Sequence, residues 1–270
     1  MDLGYRESIL GRTGLKVGRL GLAGSYGAPA RAYEKAFDRG CNYFYSGSGR
    51  KRSQMKQAVK SLVKQGHRDK MVISIQTYAR WGIMTPFLFK QSLKSMGLNH
   101  ADILMLGWHN RMPSNRLMDF ALQMKEKGLT RFIGISGHNR NLFADLAKQD
   151  LLDIFHIRFN PAHTGAQSDC FPVFERENSP GLVSYTATRW GHLLKAKHMP
   201  KGETPLLARD CYRFSLSDPR VNICLCAPGD EQQMSHALTA LDKGPLSQTE
   251  KDRIIDIGTH VHDTAKGFFN

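Results

Sequence analysis

Along the chain, short apolar runs alternate with longer segments in which apolar residues recur every three or four positions. The runs are 17–23 (VGRLGLA), 41–46 (CNYFYS), 71–76 (MVISIQ), 101–108 (ADILMLGW), 131–136 (RFIGIS), 154–160 (IFHIRFN), 181–187 (GLVSYTA) and 221–227 (VNICLCA). Most are continuously apolar, as expected of parallel strands covered on both faces. The segments between them read as amphipathic helices. In 114–128, Leu117, Phe120, Ala121 and Met124 share one face, Ser114 or Asn115 can cap the start, and Gly128 marks the stop. In 230–244, Met234, Ala237, Leu238 and Leu241 repeat the pattern behind a capping Asp230. Eight strands alternating with helices over about 250 residues predict a single (β/α)8 barrel domain across 1–270, an α/β fold.

Composition narrows the picture only in places. Hydrophobic residues make up 41% and charged residues 23%, a globular balance. The opening MDLGYRESILGRTG holds no apolar core of a signal peptide, and the apolar run at 101–108 is far too short to span a bilayer. Five cysteines, Cys41, Cys170, Cys211, Cys224 and Cys226, are few and odd in number, which predicts a reducing compartment, with the cytoplasm as default. Cys224 and Cys226 share strand parity and read as small buried hydrophobes. The net charge of +14, from 38 Lys and Arg against 24 Asp and Glu, attracts anions. Because the basic residues are spread along the chain, nucleic acid is an unlikely partner. No Walker loop, G-x-G-x-x-G or H-E-x-x-H occurs.

The fragments also resemble one family in order. LGRTGLKVGRLGL resembles the opening hairpin and first strand of the aldo-keto reductases. RGCNYFY, MVISIQT, ADILMLGWH, GLTRFIGIS, IFHIRFNP, SYTATRWGHLL and VNICLCAPGDEQQMSHAL follow in the places of strands two to eight. The resemblance implies a barrel with a short N-terminal β-hairpin and a C-terminal helix. It also implies carbonyl reduction with NADPH at the C-terminal ends of the strands. The family works with an Asp, Tyr, Lys and His tetrad, in which Tyr donates the proton, Lys and Asp tune it, and His orients the carbonyl. Here those positions fall on Tyr45, Arg50, Gln76 and Gly107, and none of the four matches.

That difference removes the standard chemistry. Hydride delivery leaves an alkoxide that needs a positioned acid. A tyrosine titrates near ~10 unless a neighbouring cation stabilises its phenolate. Gln76 carries no charge, and Arg50 stays protonated, so it can hold an anion but not donate a proton. Substitutes are Tyr45, pointing into the mouth as the candidate acid, Arg50 beside it, and His109, which has the parity of Gly107 one pleat higher. The alternative for each is space-filling or an ordinary loop residue. His109, His138 and His163 follow three successive strands, but nearby arginines oppose a dication and no metal is predicted.

The resemblance implies cofactor contacts at Ser136 for the nicotinamide amide, Tyr185 for ring stacking, and His156, Asn160, Thr186 and Gly229 around them. The Asn usual beside Ser136 is Gly137, and Asp230 and Glu231 replace the cations that meet the 2′-phosphate. NAD is therefore as plausible as NADP. Trp108, His138, Arg158 and Arg189 are the candidate substrate contacts, a cationic rim suited to a small anionic ligand. Asn139 and His163 stand beside them. The short loop at 109–115 predicts an open mouth. The leading expectation is an oxidoreductase of non-standard chemistry acting on an anionic small molecule. The alternative is a catalytically silent ligand-binding or regulatory barrel.

Overall fold

The computed structural model describes residues 5–47, 49–78 and 85–264. A hairpin of β1 (Glu7–Ile9) and β2 (Lys16–Gly18) precedes eight parallel strands: β3 (Leu20–Ala23), β4 (Tyr43–Ser46), β5 (Val72–Thr77), β6 (Ala101–Leu106), β7 (Thr130–Gly137), β8 (Ile154–Arg158), β9 (Gly181–Tyr185) and β10 (Ile223–Cys226). They close in the order β10-β3-β4-β5-β6-β7-β8-β9. The outer helices include α1 (Ala30–Asp38), α2 (Ser53–Lys64), α3 (Thr85–Met96), α4 (Asn115–Glu126), α5 (Arg140–Lys148), α6 (Ala166–Asp169), α7 (Ala208–Leu216), α8 (Glu231–Lys243) and α9 (Gln248–Thr264). Among the described residues, no helix is long and apolar enough to cross a membrane.

Strand alternation divides the core in two. One parity of each strand faces the helices, where Phe44, Ile73, Leu104, Ile135, Phe155, Cys224 and Cys226 are buried. The other fills the barrel with Tyr43, Val72, Ile103, Met105, Ile154, Val183, Ile223 and Leu225, closed from below by Leu10, Leu15 and Val17 of the hairpin. Each fully buried side chain of this size contributes roughly 1.5–3 kcal/mol of burial. The tyrosine in this inner set is unusual, since such layers are mostly branched aliphatic.

The predicted strands stand, most with shorter ends, while β5 ends one residue beyond its segment and β7 extends one residue beyond its segment at each end. The run at 17–23 is two strands, because Arg19 hands the chain from hairpin to barrel: its N–H bonds Arg6 O at 3.0 Å, its carbonyl accepts the Cys224 N–H at 2.8 Å, and its guanidinium reaches the carbonyls of Leu216 and Val221. Strands β6 and β9 end early because Trp108 and Thr186 turn left-handed, at φ 56° and 57°. Helix α4 starts after Ser114, whose side chain makes no capping bond. Asp230 does cap α8, accepting the Gln233 N–H at 2.7 Å. Helix α9 lies across the loops after β8 and β9. Arg189 donates to the Val261 carbonyl, and His262 Nδ1 lies 2.8 Å from Ala162 O. Arg213, buried on α7, bonds Glu250 at 2.7 and 3.0 Å and fixes the helix start.

Candidate functional site

At the C-terminal mouth, the last inward positions bring together Tyr45, Gln76, Gly107, Ser136, Arg158 and Tyr185. The register that sets this is Tyr45 opposite Ser74, Gln76 opposite Met105, Ser136 opposite His156, and Arg158 opposite Tyr185. One pleat below, His156 is 1% exposed, and the Tyr43 hydroxyl lies 2.8 Å from its Nε2. The Tyr45 ring packs on the same imidazole at 5.0 Å between centroids. Burial holds the His156 pKa down to about 3, so it stays neutral.

The tyrosine at the candidate acid position is a poor proton donor. Burial pushes Tyr45 well above its ordinary range, and Tyr78, Tyr43 and Tyr185 push it further. A donor for an alkoxide needs its phenolate stabilised, and the causes that act on Tyr45 among the described residues all raise it. The side chain of Arg50 lies outside the described ones. Gln76 is 8% exposed with its Oε1 unpartnered, and its amide covers Gly107. A Cβ at 107 would overlap Gln76 Nε2 and stand 2.7 Å from its Cδ. The parity argument for His109 does not hold, because β6 ends at Leu106 and the left-handed backbone at Trp108 breaks the strand alternation. His109 is buried, its N–H donating to Ser136 O at 2.7 Å.

Around β7 to β9 the polar groups are largely committed to one another. Ser136 Oγ accepts the Trp108 N–H at 3.0 Å. The Tyr185 hydroxyl donates to Gly137 O at 2.9 Å and lies 3.1 Å from His138 Nδ1. Buried Asn160 donates to Thr186 O at 2.9 Å and accepts the Ala162 N–H at 3.0 Å. The Thr186 hydroxyl turns back to Tyr185 O at 2.7 Å. Asn139 caps α5. Arg140 bonds Asp169 at 2.7 Å. Arg189, expected in the mouth, is 2% exposed and turned to α9. At α8, Gly229 N–H donates to Gln233 Oε1 at 2.9 Å, Gln233 Nε2 bonds Asp230 at 2.7 Å, and Glu231 pairs with Arg31 at 2.5 Å and Lys35 at 3.1 Å.

The electrostatics of this half are positive. Burial and then the Arg158 charge lower His138 to about 4. His163 is lowered to about 3 by burial, then by Arg158 and Arg189. Arg158 itself is half-buried and lowered by burial, with Arg140 and Arg189 adding to the shift. Among the described residues no three metal-ligating groups converge, so His109, His138 and His163 form no triad. The Tyr43–His156 pair and the filled space over Gly107 and Gly137 escaped sequence reasoning. Two glycines at neighbouring strand ends were the available signal.

A pH dependence follows from the three depressed imidazoles. Their ordinary pKa is 6.5, and in the folded chain they titrate at about 3, 3 and 4. Below 6.5 the unfolded chain takes up protons that the folded chain refuses, so stability falls as the pH is lowered through that window. Denaturant unfolding between pH 7 and 4 should show that slope, and His138→Gln should flatten part of it. An unchanged slope in the variant would place the proton uptake elsewhere.

Comparison with known proteins agrees with this fold. A model of the aldo/keto reductase family matches residues 28–206. No curated protein matches the sequence. The fold is similar to the holo form of aldo-keto reductase AKR11C1 from Bacillus halodurans, at 16% identity and a TM-score of 0.76, covering 93% of this chain and 96% of that one. Its apo form matches at 16% and 0.75, covering 93% and 95%. An aldo/keto reductase from Klebsiella pneumoniae, in complex with NADP and acetate, matches at 15% and 0.77, covering 94% and 96%. At these identities the structures show the shared fold.

Proposed function

The chain belongs to the aldo/keto reductase family, and from that premise we propose that its barrel binds a small anionic molecule in the cationic half of the mouth and does not reduce carbonyls by the family's four-residue chemistry. The observation that carries this reading is the cleft in which half-buried Arg158 stands with His138 and Arg140; burial first, and the Arg158 charge second, keep His138 and His163 neutral. A guanidinium in a partly desolvated cleft favours a carboxylate or phosphate, which accepts paired, charge-assisted hydrogen bonds.

The residues present do not fit the dinucleotide that the family implies. A nicotinamide carboxamide needs accessible donors and acceptors, yet Asn160 is fully buried with one amide N–H given to Thr186 O and its Oδ1 accepting from Ala162. His156 is bound to Tyr43 below the mouth, and residue 137 has no side chain to offer. At the other end, the first turn of α8 is closed by Asp230 and Gln233, and Asp230 adds a negative charge where a 2′-phosphate would come. The stacking face of Tyr185 remains, without the clamp around it. Against Tyr45 as an acid stands its burial, which with the neighbouring tyrosines raises its pKa well above the ordinary range.

Calorimetric titration with acetate, inorganic phosphate, NADH and NADPH tests this. We expect one of the small anions to bind, and Arg158→Gln to weaken it about tenfold, the scale of one charge-assisted pair. Neither dinucleotide should bind at micromolar concentration. Oxidation of NADH or NADPH by an aldehyde, abolished in Tyr45→Phe, would overturn the proposal and restore an oxidoreductase.

A further inference from the structure

The positive charge of this chain is uneven because its acids are. Between Arg39 and Ala101 stand twelve Lys and Arg and a single acid, Asp69, so less than a quarter of the sequence carries most of the net +14. That stretch builds α2 and α3, and neither helix contains an Asp or Glu. Lys56, Lys60 and Lys64 on α2, and Lys90 and Lys94 on α3, recur at four-residue spacing. Like charges at that spacing repel and weaken a helix, so a face that served solubility alone would gain from an acid among them.

The two helices present one surface. They are neighbours in the barrel wall, since β4 and β5, which precede them, pair side by side. The Lys56 ammonium donates to Ser95 Oγ at 2.8 Å, and Cγ of Lys60 lies 3.7 Å from where a Cβ on Gly97, just past α3, would stand. Lys60, Lys64, Lys90 and Lys94 are exposed. Among the described residues the lysine ion pairs are those of Lys16, Lys35, Lys125 and Lys148, all on other elements. Exposed acids return at the borders, with Asp38 on α1 and Asp119 on α4. At the start of α3, Phe87 and Leu88 are 60% and 47% exposed, and helical spacing puts Phe87 in line with Lys94.

A phenyl ring and an aliphatic side chain left in water beside lysines fit a lipid interface. There, apolar groups enter the boundary of the acyl chains while ammonium groups meet anionic headgroups. The choice of cation points the same way. Protein interfaces favour arginine and are poor in lysine, and nucleic-acid phosphates are best matched by the paired donors of a guanidinium. We propose that the α2–α3 face docks on an anionic lipid bilayer, with Phe87 and Leu88 entering the interface and the lysines lying over the headgroups. Docking of this kind needs no membrane-spanning helix, and it is independent of what the mouth binds.

Co-sedimentation of the full chain with vesicles tests it. Vesicles of phosphatidylcholine and phosphatidylserine, three parts to one, should bind the protein, and vesicles of phosphatidylcholine alone should not. Lys60→Gln/Lys64→Gln/Lys94→Gln should weaken binding about a hundredfold, at roughly fivefold for each lysine near the surface. Lys195→Gln/Lys197→Gln/Lys201→Gln removes the same charge from the loop after β9, across the barrel from α3, and should change binding by less than about threefold. Phe87→Ser/Leu88→Ser should weaken it about tenfold with the unfolding midpoint unchanged. Equal losses in the two lysine variants would overturn the proposal, because net charge alone would then draw the protein to the vesicle. Failure of the wild-type protein to bind the anionic vesicles would overturn it outright. Tighter binding of single-stranded RNA than of vesicles, lost in the α2–α3 lysine variant and kept in Phe87→Ser/Leu88→Ser, would overturn it in favour of nucleic acid.

Discussion

Gly137→Asn, which puts back the residue usual in the family beside Ser136, is expected to destabilise the protein by about 3 kcal/mol, the upper range of overpacking. A Cβ at 137 would overlap the His109 carbonyl oxygen, 2.9 Å from its carbon and 3.1 Å from the Phe143 ring. The obstacle is backbone, and it is fixed. His109 N–H is bonded to Ser136 O at 2.7 Å and Trp108 N–H to Ser136 Oγ at 3.0 Å. Beyond them, His138 N–H donates to Asn110 Oδ1 at 2.7 Å and Asn139 Nδ2 to Asn110 O at 3.2 Å. The loop after β6 is thus docked along the end of β7 by four bonds, and a side chain at 137 must push the two segments apart. Gly137→Ala should cost nearly as much, since the first carbon makes the overlap. Ser136→Ala, which removes one hydrogen bond without adding bulk, should cost only about 1 kcal/mol. Denaturant midpoints of the three variants decide it. A loss under 1 kcal/mol in Gly137→Ala would mean that the loop yields, and that the missing amide reflects no steric bar.

The barrel was legible because parallel strands buried on both faces write themselves as apolar runs, and β4, β6, β8 and β10 lie within the segments read for them. Strand ends were less legible where non-glycine residues turn left-handed. Nothing in the letters Trp108 or Thr186 announces φ near 57°. The site divides in the same way. Collinear motifs place Tyr45, Gln76, Ser136 and Tyr185 on neighbouring strand ends, because strand order fixes position. Which atoms remain uncommitted depends on contacts distant in sequence. Arg189 reads as a mouth cation until α9 offers it the carbonyl of Val261. His156 reads as a cofactor contact until Tyr43 takes its Nε2. In both cases the competing partner is buried, and a buried polar group that finds a partner keeps it.

The same distinction predicts a strong coupling between Gln76 and Gly107. Gly107→Ala is expected to cost about 2 kcal/mol in the wild-type background, as overpacking does. Its Cβ would overlap Gln76 Nε2, 2.7 Å from Cδ and 2.8 Å from Cγ, so a small rotation of the amide gives insufficient relief. In a Gln76→Ala background the same substitution should cost almost nothing, leaving a coupling of about 1–2 kcal/mol between adjacent residues. Gln76→Ala alone should be milder than an ordinary core truncation, because it also removes an unpartnered carbonyl oxygen whose burial is unfavourable. This coupling bears on chemistry. The resemblance puts a lysine at 76 and a histidine at 107, and an imidazole at 107 needs the volume that the Gln76 amide fills. Restoring the histidine first meets that clash, and clearing it by shortening residue 76 leaves no cation to activate a phenol. The two groups are therefore absent as a pair. Denaturant unfolding of the four proteins in the cycle separates the cases: additive costs would mean that Gln76 swings aside and the positions vary independently, whereas the expected coupling means that the floor of this mouth has been rebuilt around an amide.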